Sequence, residues 1–200
     1  MHRQPEPAGL NWCGVLLLTL ALPGGPAAYA AAPVLDEVMG ALAARQHGHV
    51  TFTEQQFLAV LERPLQSSGE LLYDAPDRLE KRTLKPKPES LVLERGVVTV
   101  QRGRRKTVLD LREYPQILPF VESIRATLAG DSAALQRVFT VTFTGSFAEW
   151  QLALVPLDAK LAATVRQVSL AGSRDEIRSV ETLVADGDRS VLTIGAPVAP

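Results

Sequence analysis

Beyond residue 50 the chain keeps a hydrophobic period of two through eleven short runs, interrupted once by a stretch with helical spacing. Such runs place alternate side chains on opposite faces of a sheet. They fall at 50–64, 69–74, 79–84, 91–94, 97–101, 107–111, 139–144, 150–156, 164–170, 174–183 and 189–194. Turn signals part them at Asp74-Ala75-Pro76-Asp77, Pro86 to Pro88, Arg95-Gly96, Arg102-Gly103-Arg104, Ala171-Gly172-Ser173 and Asp186-Gly187-Asp188. Strands this short, with connections this tight, pair with their sequence neighbours. The pattern predicts one long antiparallel meander.

Two segments are helical instead. Over 33–47, Leu35, Val38, Met39 and Leu42 sit at i, i+3, i+4 and i+7, and Gly48 follows Arg45 and His47 as a helix terminus would. Over 115–128, Ile117, Phe120, Val121, Ile124 and Leu128 share one stripe, and Gly130 ends it. Asp131 or Ser132 then caps a short further helix through Arg137. A long antiparallel sheet with isolated amphipathic helices has few packing solutions. The sheet curls, and the helices cover its concave apolar face.

The first thirty residues read as an export leader. His2 and Arg3 form a thin basic start, 12–22 is an apolar run too short for a comfortable membrane span, and Ala28-Tyr29-Ala30 is a cleavage site. The helix of that run is broken early by Pro23, Gly24, Gly25 and Pro26. The expected organisation is a leader over 1–30, one domain over 31–195, and a disordered Ala/Pro tail over 196–200. The single cysteine, Cys13, lies in the leader, so the exported chain has no disulfide or thiolate ligand. It must hold together by packing. Net charge is −1, which argues against general nucleic-acid binding. The charge is polarised, however: between Arg78 and Lys106 lie ten Lys or Arg against three Glu.

Several local patterns, taken in this order, resemble the outer-membrane lipoprotein carrier family, the LolA-like proteins. An N-terminal helix leads to Phe52-Thr53-Glu54-Gln55-Gln56. Gly69-Glu70-Leu71-Leu72-Tyr73 then runs to Pro76-Asp77-Arg78-Leu79, like the family's G-x-L-x-x-x-x-P-x-x-[FL] strand pair. A helix interrupts the meander, and a strand with Trp150, Leu152, Leu154, Pro156 and Asp158 follows. The resemblance implies a mainly β fold with an α lid: an incomplete antiparallel β-barrel of about ten or eleven strands over a hydrophobic cavity. It also implies a periplasmic carrier that receives acyl chains from an inner-membrane exporter and passes them toward an outer-membrane acceptor, usually as a monomer. One position departs. The family's carriers have an arginine immediately before the proline of the second strand, linking barrel mouth to lid, where this chain has Ala75; its basic residues come later, at Arg78, Lys81 and Arg82. The departure favours a generic acyl or glycolipid cargo, as in LolA-like proteins associated with aryl-polyene or fatty-acyl export.

Candidate cavity residues are Leu71, Tyr73, Leu79, Leu91, Leu93, Val98, Val100, Phe139, Val141, Phe143, Trp150, Leu152 and Leu154. They either line a lipid cavity or fill an ordinary core; an aliphatic lining suits an acyl chain because each buried methylene is worth about 0.8 kcal/mol without directional contact. Candidate lid residues are Leu35, Val38, Met39, Leu42, Ile117, Phe120, Val121 and Ile124, on helices that are either movable or permanently packed. The basic hairpin Arg102, Arg104, Arg105 and Lys106 is either a docking surface for an acidic partner or anionic headgroups, or a solvated tip. His47 and His49, the two histidines outside the leader, lack the companions of a metal site. No nucleophile–base, zinc or phosphate-loop motif is present, and no cofactor or catalytic residue is expected. The alternative function is a non-transporting sensor or accessory subunit that docks on an inner-membrane transporter.

Overall fold

A computed structural model describes residues 31–114 and 118–199; the expected leader and Ile117 lie outside these. Its elements are α1 (Ala31–Ala43), β1 (His47–Phe57), β2 (Leu65–Asp74), β3 (Arg78–Lys85), β4 (Glu89–Glu94), β5 (Val97–Arg102), β6 (Arg105–Asp110), α2 (Leu118–Leu128), α3 (Ser132–Val138), β7 (Phe139–Ser146), β8 (Glu149–Pro156), α4 (Ala159–Ala162), β9 (Val165–Ser173), β10 (Glu176–Val184) and β11 (Arg189–Pro197). The fold is mainly β, as the alternation predicts.

All eleven strands form one antiparallel sheet in the order β6-β5-β4-β3-β2-β1-β11-β10-β9-β8-β7. The first and last strands meet in its middle, where Phe52 pairs with Ile194. The sheet does not close: β6 and β7 are its edges. The helical insertion that splits the meander joins those two edges, so the chain must travel from one side of the sheet to the other through α2 and α3. That is an incomplete barrel with helices.

The strand expected over 50–64 ends at Phe57, leaving 58–64 as the loop to β2, and three further differences from the sequence reading have local causes. α1 stops at Ala43 because His47 and Gly48 are taken into the ladder opposite Asp74 and Tyr73, and pairing outcompetes another helical turn. The last strand runs to Pro197, and the Val198 amide donates to the His49 carbonyl at 2.9 Å, so most of the expected tail is tied down. The single-turn helix α4 was not anticipated. It is too short to show a period and is made by its cap, Asp158, whose carboxylate accepts from the Lys160 and Leu161 amides at 2.8 and 3.0 Å.

The main buried cluster lies under α1 on the β7–β9 half of the sheet, while Phe52, Leu93 and Leu111 are buried outside it. Leu35, Val38, Met39 and Leu42 are buried against Phe139 of β7, Trp150, Leu152 and Leu154 of β8, and Val165, Val168 and Leu170 of β9. Trp150 fits because its ladder partner is Gly172, where a β-carbon would collide with the indole; the indole N–H donates to the Arg174 carbonyl at 3.0 Å. Gly130, in the α2–α3 turn with φ of 65°, likewise lets that turn approach the Met39 carbonyl of α1. Across β2 to β5 the corresponding side chains are mostly half-buried, Leu93 excepted. Two leucines of equal size should therefore respond differently. Leu154→Ala, in the packed half, should cost about 2–5 kcal/mol in denaturant unfolding, and Leu91→Ala less than about 1.5 kcal/mol. Equal costs would contradict the two-halved core.

Candidate functional site

Register places all of the candidate cavity residues on one face. Directly paired residues share a face, and the ladder runs Tyr73–Leu79–Leu93–Val98 and Leu71–Lys81–Leu91–Val100 on one side. On the other, Phe143–Leu152–Leu170–Val180 and Val141–Leu154–Val168 do the same. The two groups are separated in their surroundings. Phe139, Trp150, Leu152 and Leu154 lie in the core with α1. Leu71, Tyr73, Leu79, Leu91, Val98 and Val100 keep partial contact with solvent. The grooves of about 340 and 420 Å³ lie on the opposite, outer face, lined by such residues as Thr51, Glu70 and Thr193 in one and Glu149, Gln151 and Arg178 in the other. The apolar candidate surface is thus an open, half-covered face.

The lid candidates divide in the same way. On α1, Leu35, Val38, Met39 and Leu42 are all buried. On α2 the inward side is Phe120, Ser123, Ala126 and Thr127, rotated from the expected stripe; Val121 is half-buried, and Ile124 is 37% exposed. The rotation has a local cause. Ser123 Oγ donates to the Phe120 carbonyl at 2.6 Å and Thr127 Oγ1 to the Ser123 carbonyl at 2.8 Å. With their hydroxyls bonded inside the helix, both behave as small side chains that permit close packing on α1 and α3. A reading that counts only apolar residues misses them. The consequence is a second, incompletely covered apolar strip: half-buried Leu118, Val121 and Leu128 and exposed Ile124 run along α2 beside Arg125. Arg125 lies near Tyr73 of β2. Burial raises the Tyr73 pKa, and the Arg125 charge partly opposes it. Arg125 Nη1 bonds the Glu122 carboxylate at 3.0 and 3.1 Å, while its buried Nε has no partner among the described residues.

A buried carboxylate, Glu54, sits in the middle of the apolar face. It accepts from Lys81 Nζ at 2.6 Å, Ser67 Oγ at 3.1 Å and Ser190 Oγ at 3.1 Å, which ties β1 to β2, β3 and β11. The Lys81 ammonium also stands 5.1 Å from the Phe52 ring centroid. The sequence held the signal: Glu54 shares parity with Val50 and Phe52, and Lys81 with Leu79. Of the three later basic residues, only Lys81 is on this face. Arg78 and Arg82 are on the outer face, clamping the buried Glu80 at 2.7 and 2.5 Å, and Arg78 also reaches Asp74 and Glu94. His47 and His49 each bond a carboxylate, Asp74 and Glu70, both at 3.0 Å. In the basic hairpin Arg102 pairs with Glu89; Arg104, Arg105 and Lys106 make no ion pair among the described residues.

The sequence matches the family described as "Outer membrane lipoprotein carrier protein LolA-like" over residues 27–199. No curated protein sequence matches it. Among solved structures, a LolA superfamily protein from Nitrosomonas europaea is 10% identical, with 85% of this chain and 93% of that chain covered and a TM-score of 0.44. A putative outer membrane lipoprotein-sorting protein domain from Vibrio parahaemolyticus is 10% identical, covering 86% and 92%, with a TM-score of 0.45. The Pseudomonas aeruginosa MucA/MucB complex gives 17% identity, 82% of this chain but 58% of that one, and a TM-score of 0.43. An open antiparallel sheet with a partial helical cap defines the class, a carrier or binding fold with no helix among the described residues long and apolar enough to cross a membrane. The chain belongs to the LolA-like outer membrane lipoprotein carrier family.

The Glu54 cluster makes stability pH-dependent. Burial raises the Glu54 pKa, but the hydrogen bond and charge of Lys81 and the two serine hydroxyls outweigh it, leaving the group below its ordinary 4.5. A depressed folded-state pKa contributes stability that is present above the unfolded value and is lost as pH falls through the folded one. Glu54→Gln should therefore flatten the loss of stability below about pH 4.5. Lys81→Met alone should destabilise more than Glu54→Gln/Lys81→Met together, because it leaves a buried carboxylate uncompensated. The reverse order in chemical denaturation would exclude the pairing.

Proposed function

We propose that the protein is a periplasmic carrier or chaperone for an acylated molecule, a lipoprotein or other acylated lipid, held by its hydrocarbon chain and passed from an inner-membrane exporter toward the outer membrane. The observation that carries this reading is the half-buried β2–β5 half of the inner face, together with an incompletely covered strip on α2, whose Arg125 charge reaches Tyr73 of β2. Aliphatic walls without a directional partner select for hydrocarbon and against polar cargo.

Magnitudes decide what α2 must do. A chain of about sixteen methylenes lying on the sheet alone, with about half of each methylene buried, gains about 6 kcal/mol. Association costs at least about 4 kcal/mol, leaving about 2 kcal/mol or less, a dissociation constant of roughly tens of millimolar at best. Covering the other side with the Val121, Ile124 and Leu128 strip brings the gain toward about 13 kcal/mol, enough for transit through water. Withdrawing α2 returns it to the weak value. Cargo capture and release are thus both set by α2, with the polar Glu54–Lys81 pair limiting how deep a chain can slide toward the middle of the sheet.

Lipid extracted from the purified protein should be stoichiometric and exchangeable. Ile124→Asp and Val121→Asp should remove it while leaving the circular dichroism and unfolding midpoint within the range of surface substitutions. A protein that retains no lipid but binds tightly to a membrane protein would instead be an accessory subunit, and unchanged lipid in both variants would reject the role of α2.

A further inference from the structure

Antiparallel pairing gathers the β1–β2, β3–β4 and β5–β6 connections at one end of the sheet. That end is neither apolar nor charged but both. Val60 is 88% exposed at the tip of the β1–β2 loop, and Leu61, Leu65 and Leu84 beside it are 43%, 49% and 54% exposed. The tip is held: the Leu61 amide donates to the Leu58 carbonyl at 2.9 Å, and the Ala59 amide to Asp188 Oδ1 at 2.8 Å. A fixed turn that displays valine and leucine to water has no folding rationale, because the residues bury nothing in the core.

Cations surround this apex. Arg63 is on the same loop, Lys85 and Lys87 lie at the β3–β4 connection, and Arg104, Arg105 and Lys106 at the β5–β6 turn. All are exposed, and none makes an ion pair among the described residues. By contrast, the basic residues further along the same strands, Arg78, Lys81 and Arg82, are neutralised by Glu80 and Glu54. Of the acids at this end, Glu89 pairs with Arg102, Glu62 stands beside Arg63, and Asp186 and Asp188 lie in the β10–β11 turn next to the β1–β2 loop, so the surplus of cations is on the β3–β4 and β5–β6 side. The positive charge of the sequence is therefore concentrated here.

We propose that this rim docks the protein on a bilayer surface rich in anionic headgroups, with the Val60–Leu61 apex entering the interface and the surrounding cations pairing with phosphates. The absence of aromatics and methionine favours this over a protein partner. Protein interfaces favour aromatic residues, methionine and arginine and are poor in lysine, whereas this rim has aliphatic tips, three lysines beside its three arginines, and no exposed aromatic. A headgroup region needs neither a pocket nor a fixed partner geometry; it takes small apolar apices together with clustered positive charge. The inference does not depend on what the inner face carries, since an empty protein would dock equally well.

The test is cosedimentation of the purified protein, in the form the cell accumulates, with vesicles of phosphatidylcholine alone or with about one-third phosphatidylglycerol. Binding should require the anionic lipid. It should weaken as salt is raised and the screening length contracts from about 10 Å at 0.1 M to about 3 Å at 1 M. Arg104→Glu/Arg105→Glu/Lys106→Glu should lower partitioning by about a hundredfold or more, given roughly fivefold per basic residue near such a surface. Val60→Asp/Leu61→Asp should lower it by about tenfold or more, with both variants keeping the native circular dichroism. Equal binding to both vesicle types, no binding to either, or insensitivity to both variants overturns the proposal. So does a concentration-dependent dimer that Val60→Asp abolishes in the absence of vesicle binding, which would give the rim to a second copy. Lipid extraction reads the inner face separately, so failure of one assay leaves the other reading standing.

Discussion

A helical cap too small for its sheet is the constraint behind the whole arrangement. α1, with thirteen residues, is about 20 Å long. Eleven strands at about 4.8 Å spacing make a sheet about 48 Å wide before it curls. One helix of that length can seal only part of such a surface, and it seals the part under β7, β8 and β9. The remaining apolar side chains are left mostly half-buried, and α2 turns its closest-packing side to α1 and α3. Packing is thereby divided between two halves of one sheet. The first is a dense core, the second an incompletely buried apolar face.

Polar groups are placed consistently with that division. Glu54 and Lys81 interrupt the apolar face near its centre, where β1 meets both β2 and β11, and their hydroxyl partners come from either side of the seam. The pair marks where the continuous hydrocarbon surface stops. On the outer face Glu80 is fixed between Arg78 and Arg82, so the two arginines that follow the Pro76 turn brace strands and do not reach the helices. Ala75 stands before that proline, and the Arg125 charge of α2 acts on Tyr73 of β2.

Much of this was legible from the residues. Period-two alternation located most strands to within a few residues, because each strand has a partner on at least one side; the exception is the run over 50–64, whose second half is the β1–β2 loop after Phe57. The candidate inner-face residues were legible for the same reason: parity along a strand determines the face, and antiparallel register carries it to the next. Three things were not. The inward side of α2 was hidden because Ser123 and Thr127 look polar in one dimension and are not once bonded to their own helix. The single turn at Ala159–Ala162 is too short to have a period. The split between packed and open halves depends on where α1 comes to rest, and nothing in the repeat of the strands distinguishes β7–β9 from β2–β5.

The central claim is that hydrocarbon occupies the space between α2 and the β2–β5 half of the inner face. Irradiating the protein with a fatty acid that carries a diazirine near its methyl end, and mapping the adducts by peptide mass spectrometry, tests it most directly. Adducts should fall on inner-face peptides containing Leu71, Leu79, Leu91 and Val98 and on the α2 peptide. Adducts confined to the outer-face grooves or to the α1 core, or labelling no greater than that of a denatured control, would contradict it.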